Sequence, residues 1–473
     1  MNYRHVENAL KTIRGQFYPD QFSSQLYMDS DSIPQNYLVY FHERFHYLQN
    51  IFTPYGHLKW GCYRSFTAEI IDAWIGLTEK YKKKKKIPAF SYIEDEDLEG
   101  LKILGSIFLQ DMALQFSSIT ESDALSEELL QRNEIQREGL VPSIVVSGKE
   151  FILNGIDIIE SFAKFEEAVL AYLVEDKPLS ETINPSVLLP RYFIALYYFV
   201  EVLGDERLHE FPVVCELALA ISHLPKVNDD ESMKKYHPSW RFIKIVDCIK
   251  NNPQIKLKDI RLESSFWEYT DEILRQCEFD SWEELWKPAE VYANQTDLSM
   301  AQEMLDAIKY KKTYPWALSY PMNSLPHFIS AEFNRFHPLF TITNDGVFYS
   351  LDKVSSSELL FENHFQALAL QISGRMSKRC IYPDMLQCGY SYFGLNVCPH
   401  QQRGECDGHI CSGSELPAMK MDESKNIIEG CTFEIVLNIM GTSIHEIEIT
   451  SLSKKYGMGD LADAARRIKS KCN

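Results

Sequence analysis

The chain has 473 residues, 45% of them hydrophobic and 24% charged, a composition that belongs to folded globular proteins and excludes disorder as the main state. Lysine plus arginine numbers 48 against 67 for aspartate plus glutamate, a net charge of −19. General binding to nucleic acid or to an anionic membrane needs a basic surface and is therefore not expected.

The length predicts several domains, and the patterning described below divides them as 1–183, 184–335 and 336–473. The N-terminal residues MNYRHVENALKTIRGQFYPD lack the apolar core of a secretory signal, and no run of about 18 apolar residues offers a membrane span. These features predict a cytoplasmic protein with no membrane association. Its eleven cysteines then read as free thiols or metal ligands rather than disulfides.

The first strong pattern covers residues 37–51. Leu38, Phe41, Phe45, Leu48 and Ile51 recur at steps of three and four, the signature of one helical face. Ser32 is the expected N-cap, with Pro34 in the first turn, and Thr53-Pro54-Tyr55-Gly56 ends the helix. Helices are predicted over 57–81 and 98–132, with the five lysines Lys82–Lys86 between them as a solvated segment. Residues 143–153 read as a β-hairpin around Ser147-Gly148-Lys149. Asn154-Gly155 then opens a helix over 156–173. Further helices are predicted at 185–202, 212–223, 238–251, 263–277 and 298–310. A second hairpin is expected at 339–351, turning at Asn344-Asp345-Gly346, and a strand at 433–440. The expected fold class is mostly α with small β elements.

Residues 42–46 read His42-Glu43-Arg44-Phe45-His46. Helical residues four apart stand one turn above each other on the same face, so both imidazoles can reach one Zn²⁺. Glu43, beside them, can take a proton from a water at the metal. The pattern lies inside a strong helical period, and two histidines and a glutamate on an otherwise apolar helix would be costly to bury without a purpose.

With its continuation His46-Tyr47-Leu48-Gln49, this stretch resembles the zincin metallopeptidases. The resemblance implies a zinc hydrolase acting on a protein or peptide substrate, with His42 and His46 as metal ligands and Glu43 as general base. The metzincin continuation is absent, because residues 47–57 read YLQNIFTPYGH. The gluzincin pattern takes its third ligand from a glutamate on a later helix, and both Glu69 and Glu160 qualify. Glu160 is favoured. Small Ser161 and Ala163 let its helix approach closely, its apolar neighbours make an unpaired charge costly, and Glu160-Ser161-Phe162-Ala163 resembles the strings around gluzincin third ligands. Glu167, two turns on, is either an orienting partner for a histidine or a solvated residue. The resemblance also implies an edge strand for an extended substrate, and the 143–153 hairpin is the candidate.

Two other readings remain open. Glu43 and His46 also form an E-x-x-H pair, of which a di-metal carboxylate oxidase would need a second. Glu206-Arg207-Leu208-His209 supplies one, but in a segment that reads as a loop. A zincin-like scaffold used only for binding, as an effector, is the non-enzymatic alternative. Finally, Cys398, His400, Cys406, His409 and Cys411 crowd one short stretch and are candidates for a separate structural metal site.

Overall fold

The computed structural model describes residues 15–18, 23–61, 87–88, 142–184, 190–222, 235–258, 263–295, 299–321, 331–338, 340–343, 347–349, 420–421, 427–429 and 447–448. The chain divides into two compact units, residues 1–61 with 121–345, and residues 62–120 with 346–473. In chain order the first unit holds β1 (Gly15–Tyr18), β2 (Ser23–Leu26), α1 (Tyr37–Phe52), β3 (Ser143–Val146), β4 (Lys149–Ile152) and α2 (Gly155–Glu175). There follow α3 (Ile194–Leu203), α4 (Phe211–Ala218), α5 (Pro238–Asn251), α6 (Glu263–Gln276), α7 (Trp282–Asn294), α8 (Ser299–Thr313) and β5 (Phe340–Ile342). The described fold is mostly helical with small β elements. In the second unit, Ile87–Pro88 pairs with Ile447–Glu448 and Lys420–Met421 with Ile427–Glu429.

Helix α1 begins later than its sequence suggests. Ser32 and Pro34 sit in two 3₁₀ turns, Ser30–Ser32 and Pro34–Asn36, which the fixed φ of proline suits. The α-helix starts at Tyr37, and the Asn36 side chain donates back to the Ser32 carbonyl at 2.8 Å. At its other end Thr53 leaves the helical region, and residues 54–61 turn helical again. A Cβ on Gly56 would collide with the Asn50 backbone, so only glycine permits so tight a return.

The apolar stripe on α1 predicts one buried face, yet residues Phe41 to Phe52 are all buried. The helix is central, and its polar side chains are therefore partnered inside the protein. Arg44 donates to the Phe333 and Phe336 carbonyls and to Asn334 Oδ1. Tyr47 donates to Glu303 Oε1 at 2.7 Å, tying α1 to α8.

Helix α2 crosses α1 with Phe162 edge-on to Phe45, ring centroids 4.9 Å apart. It starts where Asp157 accepts from the Asn154 N–H at 2.7 Å, and ends at Asp176 in the left-handed region, φ 55°. Before it, β3 and β4 form the expected hairpin, with Val146 opposite Lys149. Ser147 and Gly148, φ 50° and 72°, make the two-residue turn that matches strand twist. The three strands β1, β2 and β5 pair side by side. β1 is antiparallel to β2, and β2 is parallel to β5.

Helices α5, α6 and α8 fall close to their predicted bounds, while α3 starts at Ile194 rather than 185, after the 3₁₀ turn Pro190–Tyr192, and α4 stops at Ala218 rather than 223. Strands β1 and β2 and helix α7 are not anticipated. The predicted helix over 98–132, the turn at Asn344–Gly346 and the strand at 433–440 lie outside the described residues. So does all but the start of the helix over 57–81. Among the described residues no helix is long and apolar enough to cross a membrane, and Cys215, Cys248 and Cys277 are free thiols.

Candidate metal centre

Helix α1 sets His42 and His46 one turn apart, and α2, held against it by the Phe45–Phe162 contact, brings Glu160 to them. His42 Nε2 lies 3.1 Å from His46 Nε2. Glu160 Oε2 lies 3.2 Å from the first and 3.3 Å from the second. Three donor atoms from two helices thus form a nearly equilateral triangle. Tetrahedral zinc, with bonds near 2.0–2.1 Å, separates its ligand atoms by about 3.3 Å. The donor set therefore fits one tetrahedral cation. It is the single group of three or more histidine, cysteine or acidic side chains among the described residues that could hold a metal ion.

The atoms behind the triangle hold its histidines in place. Gln49 Nε2 donates to the Ile159 carbonyl at 3.0 Å, which turns Gln49 Oε1 towards His46 Nδ1 at 2.8 Å. His46 Nδ1 must then carry the proton, leaving Nε2 with its lone pair aimed into the triangle. One glutamine thereby orients a ligand and joins the two ligand helices. Behind His42, Nδ1 sits 3.1 Å from Glu167 Oε2. The approach is short, but it is misaligned for a hydrogen bond, and this buried nitrogen has no hydrogen-bond partner. Glu167 is itself ion-paired to Lys164. Glu167 is buried, so the reading of it as a solvated residue is corrected. Seven residues after Glu160, and so on the same face of α2, it is covered by His42 of α1 as Glu160 is.

The electrostatics follow from burial and crowding. Burial pulls the His42 pKa down, but its hydrogen bond to Glu160 and the nearby Glu167 outweigh burial and lift it to about 10. Burial pushes the Glu160 carboxyl up, but His46 and His42 beside it hold it well below the usual carboxylate range. Glu43 is different. Burial raises it to about 7, because the pull of His42 and His46 is opposed by the like charges of Glu160 and Glu167. Tyr192, in the 3₁₀ turn Pro190–Tyr192, places its ring 5.9 Å from that of His42. Burial first, then the charge of Glu160, raise its hydroxyl pKa, so it stays protonated and able to donate.

The remaining candidates fall elsewhere. His57, eleven residues after His46, lies 2.6 Å from the Ile51 carbonyl and donates to it. Glu206 and His209 lie exposed on the 3₁₀ helix Asp205–Glu210 and do not join the triangle. The di-metal reading thus loses its second pair. The 143–153 hairpin packs on α3, where the Ser147 N–H donates to Glu201, whereas β1 lies against α1 beside Glu43. Glu69, Cys398, His400, Cys406, His409 and Cys411 lie outside the described residues. No protein-family model matches this chain, and neither does any curated protein or solved structure.

Gln49 and Tyr192 escape sequence reasoning. Gln49 carried a usable signal, since it lies three residues after His46 on the same helix. Tyr192 carried none, being one of 25 tyrosines.

Proposed function

We propose that this protein is a zinc-dependent metallopeptidase, cytoplasmic, that hydrolyses peptide bonds of a protein or peptide substrate. The observation that carries the reading is the convergence of His42, His46 and Glu160 on one point, with Glu43 on the same helix and directed beside that point. Two imidazoles and one carboxylate are a common zinc donor set, and three protein ligands leave one position for chemistry. When bound, the metal supplies Lewis acidity, which acidifies water and polarises a carbonyl.

The chain's own groups do the rest. Glu43 follows His42 in sequence and so projects about 100° further round α1, which keeps its carboxylate off the triangle and free to act as a base. A buried carboxylate whose pKa burial raises can take a proton from the attacking water and later pass it to the leaving amine, since proton transfer works best from groups whose pKa lies near the working pH. Gln49 fixes the His46 imidazole orientation, and the Glu167 charge stands beside His42 Nδ1. Tyr192 keeps a hydroxyl proton beside His42, where it can donate to the oxygen that gains charge as the carbonyl is attacked. Strand β1, adjacent to Glu43, is better placed than the 143–153 hairpin to seat an extended substrate by backbone pairing.

The test compares the zinc-loaded protein with Glu43→Gln on a library of unstructured peptides, read by mass spectrometry. Glu43→Gln should keep stoichiometric zinc and lose hydrolysis by about 10²–10⁴-fold. If the native protein binds zinc but cleaves nothing, the binding-scaffold reading replaces this one.

A further inference from the structure

Strand β1 meets α1 at Gly15. A Cβ built on Gly15 would lie 2.7 Å from both Cγ and Oε1 of Glu43 and 3.0 Å from its Cδ, closer than a real Cβ approaches any carbon or oxygen. The backbone gives no other reason for glycine here. Gly15 is in the extended strand and is not among the described residues with positive φ, and glycine ordinarily weakens a strand. The two backbones have little room to move apart, so the Glu43 side chain is what must give. Gly15 pairs with Leu26 on β2, β2 is held in turn by β5, and Leu26 is fully buried. Helix α1 is buried all round from Phe41 to Phe52. With strand and helix both fixed, any side chain at position 15 must move the Glu43 side chain.

We propose that Gly15 is a positioning residue: the bare backbone of β1 is the wall that sets where the Glu43 carboxylate stands relative to the His42–His46–Glu160 triangle. The role of that carboxylate as general base rests on the reading above, whereas the wall itself does not. The three atoms nearest a Cβ at Gly15 all belong to Glu43 and none to a metal-binding side chain, so a methyl group there acts first on Glu43.

Two measurements test this separately. In the zinc-loaded enzyme, Gly15→Ala should lower kcat by up to about a hundredfold, as an ångström-scale misplacement does, with KM and zinc stoichiometry unchanged. Native kcat in Gly15→Ala, in an enzyme that Glu43→Gln inactivates, overturns the proposal. The second measurement is a thermal-unfolding cycle on the metal-free protein, which needs no activity at all. Gly15→Ala should lower Tm in the native background and leave it unchanged or raised in the Glu43→Ala background, where the methyl has room and alanine restricts the unfolded chain. Equal Tm shifts in both backgrounds overturn the wall. If Gly15→Ala alone does not fold, recovery of folding by adding Glu43→Ala supports the proposal, and failure of both variants overturns it. If the native protein proves to have no peptidase activity, the Tm cycle alone decides.

Discussion

Two of the buried ionisable clusters in the first unit are built differently. Around α4, α6 and α8, Glu210 and Glu216 each meet a buried cation. Glu210 accepts from Arg207 at 2.7 and 3.0 Å and from the Tyr269 hydroxyl at 2.6 Å. Glu216 is ion-paired to Lys311 and accepts from Ser319, and Lys311 also donates to the Pro315 carbonyl. At the α1–α2 crossing the pattern is reversed. Two imidazole nitrogens and a carboxylate oxygen point at one another, and Glu43 stands beside them with burial pushing it towards neutrality. A network closed by its own counter-charges stabilises the fold. At the crossing the proton on His42 stands where a cation could, and the three donor atoms face one point that a metal ion can fill.

Exchanging lesions between the two places should give the largest effect. Lys311→Met leaves Glu216 buried without a counter-charge, so it should destabilise the protein by about 3–5 kcal/mol in urea unfolding while zinc affinity stays native. Glu160→Gln should do the opposite, losing zinc by equilibrium dialysis with a far smaller change in the unfolding midpoint of the metal-free protein. Loss of zinc in Lys311→Met beyond that due to unfolding would show that the two places are one network.

Acid should separate neutral buried histidines from the charged site. His57 and His237 are each lowered to about 4 by burial. The unfolded chain therefore takes up these protons first, near its ordinary histidine pKa. The stability they support is fully present above about pH 6.5 and is lost as pH falls towards 4, by up to about 3 kcal/mol per histidine. Urea unfolding from pH 7 to 4 should show this slope, and His57→Gln should reduce it by one proton. An unchanged slope would mean that His57 is not neutral in the fold.

The smallest expected effect sharpens the metal site itself. Glu167→Gln removes the carboxylate charge beside His42 Nδ1 and should weaken zinc binding by about 10–100-fold, without the complete loss expected of Glu160→Gln. Native affinity would restrict the role of Glu167 to its ion pair with Lys164.

The HExxH spacing and the helix around it were legible because they depend on a four-residue period alone. Glu160 was legible from its apolar company, since a charge among Ile158, Ile159 and Phe162 needs a partner. Other features were hidden for physical reasons. The burial of Glu167 depends on how far along that face of α2 the cover extends past Glu160, which a periodicity does not report. Helix α7 was missed because Pro288 lies inside it, and a proline there argues against a helix. Buried Trp282 and Trp286, stacked at 5.7 Å, hold the helix in spite of the lost bond. Its start was in fact written in the sequence, where Ser281 and Glu284 form reciprocal capping bonds. The four-residue strands β1 and β2 carry no alternation long enough to be read, yet β1 lies against Glu43.

The chain distances within the site impose an order in time. Glu160 follows His42 by 118 residues, so at roughly 5–20 residues per second of synthesis the histidine pair is made about 6–24 s before its third ligand. The wall at Gly15 is later still, because β2 pairs with Phe340–Ile342, made after every metal-binding residue of the triangle. A growing chain can thus assemble the His42–His46–Glu160 triangle well before β1 is fixed against Glu43. The complete site exists only after most of the first unit has left the ribosome.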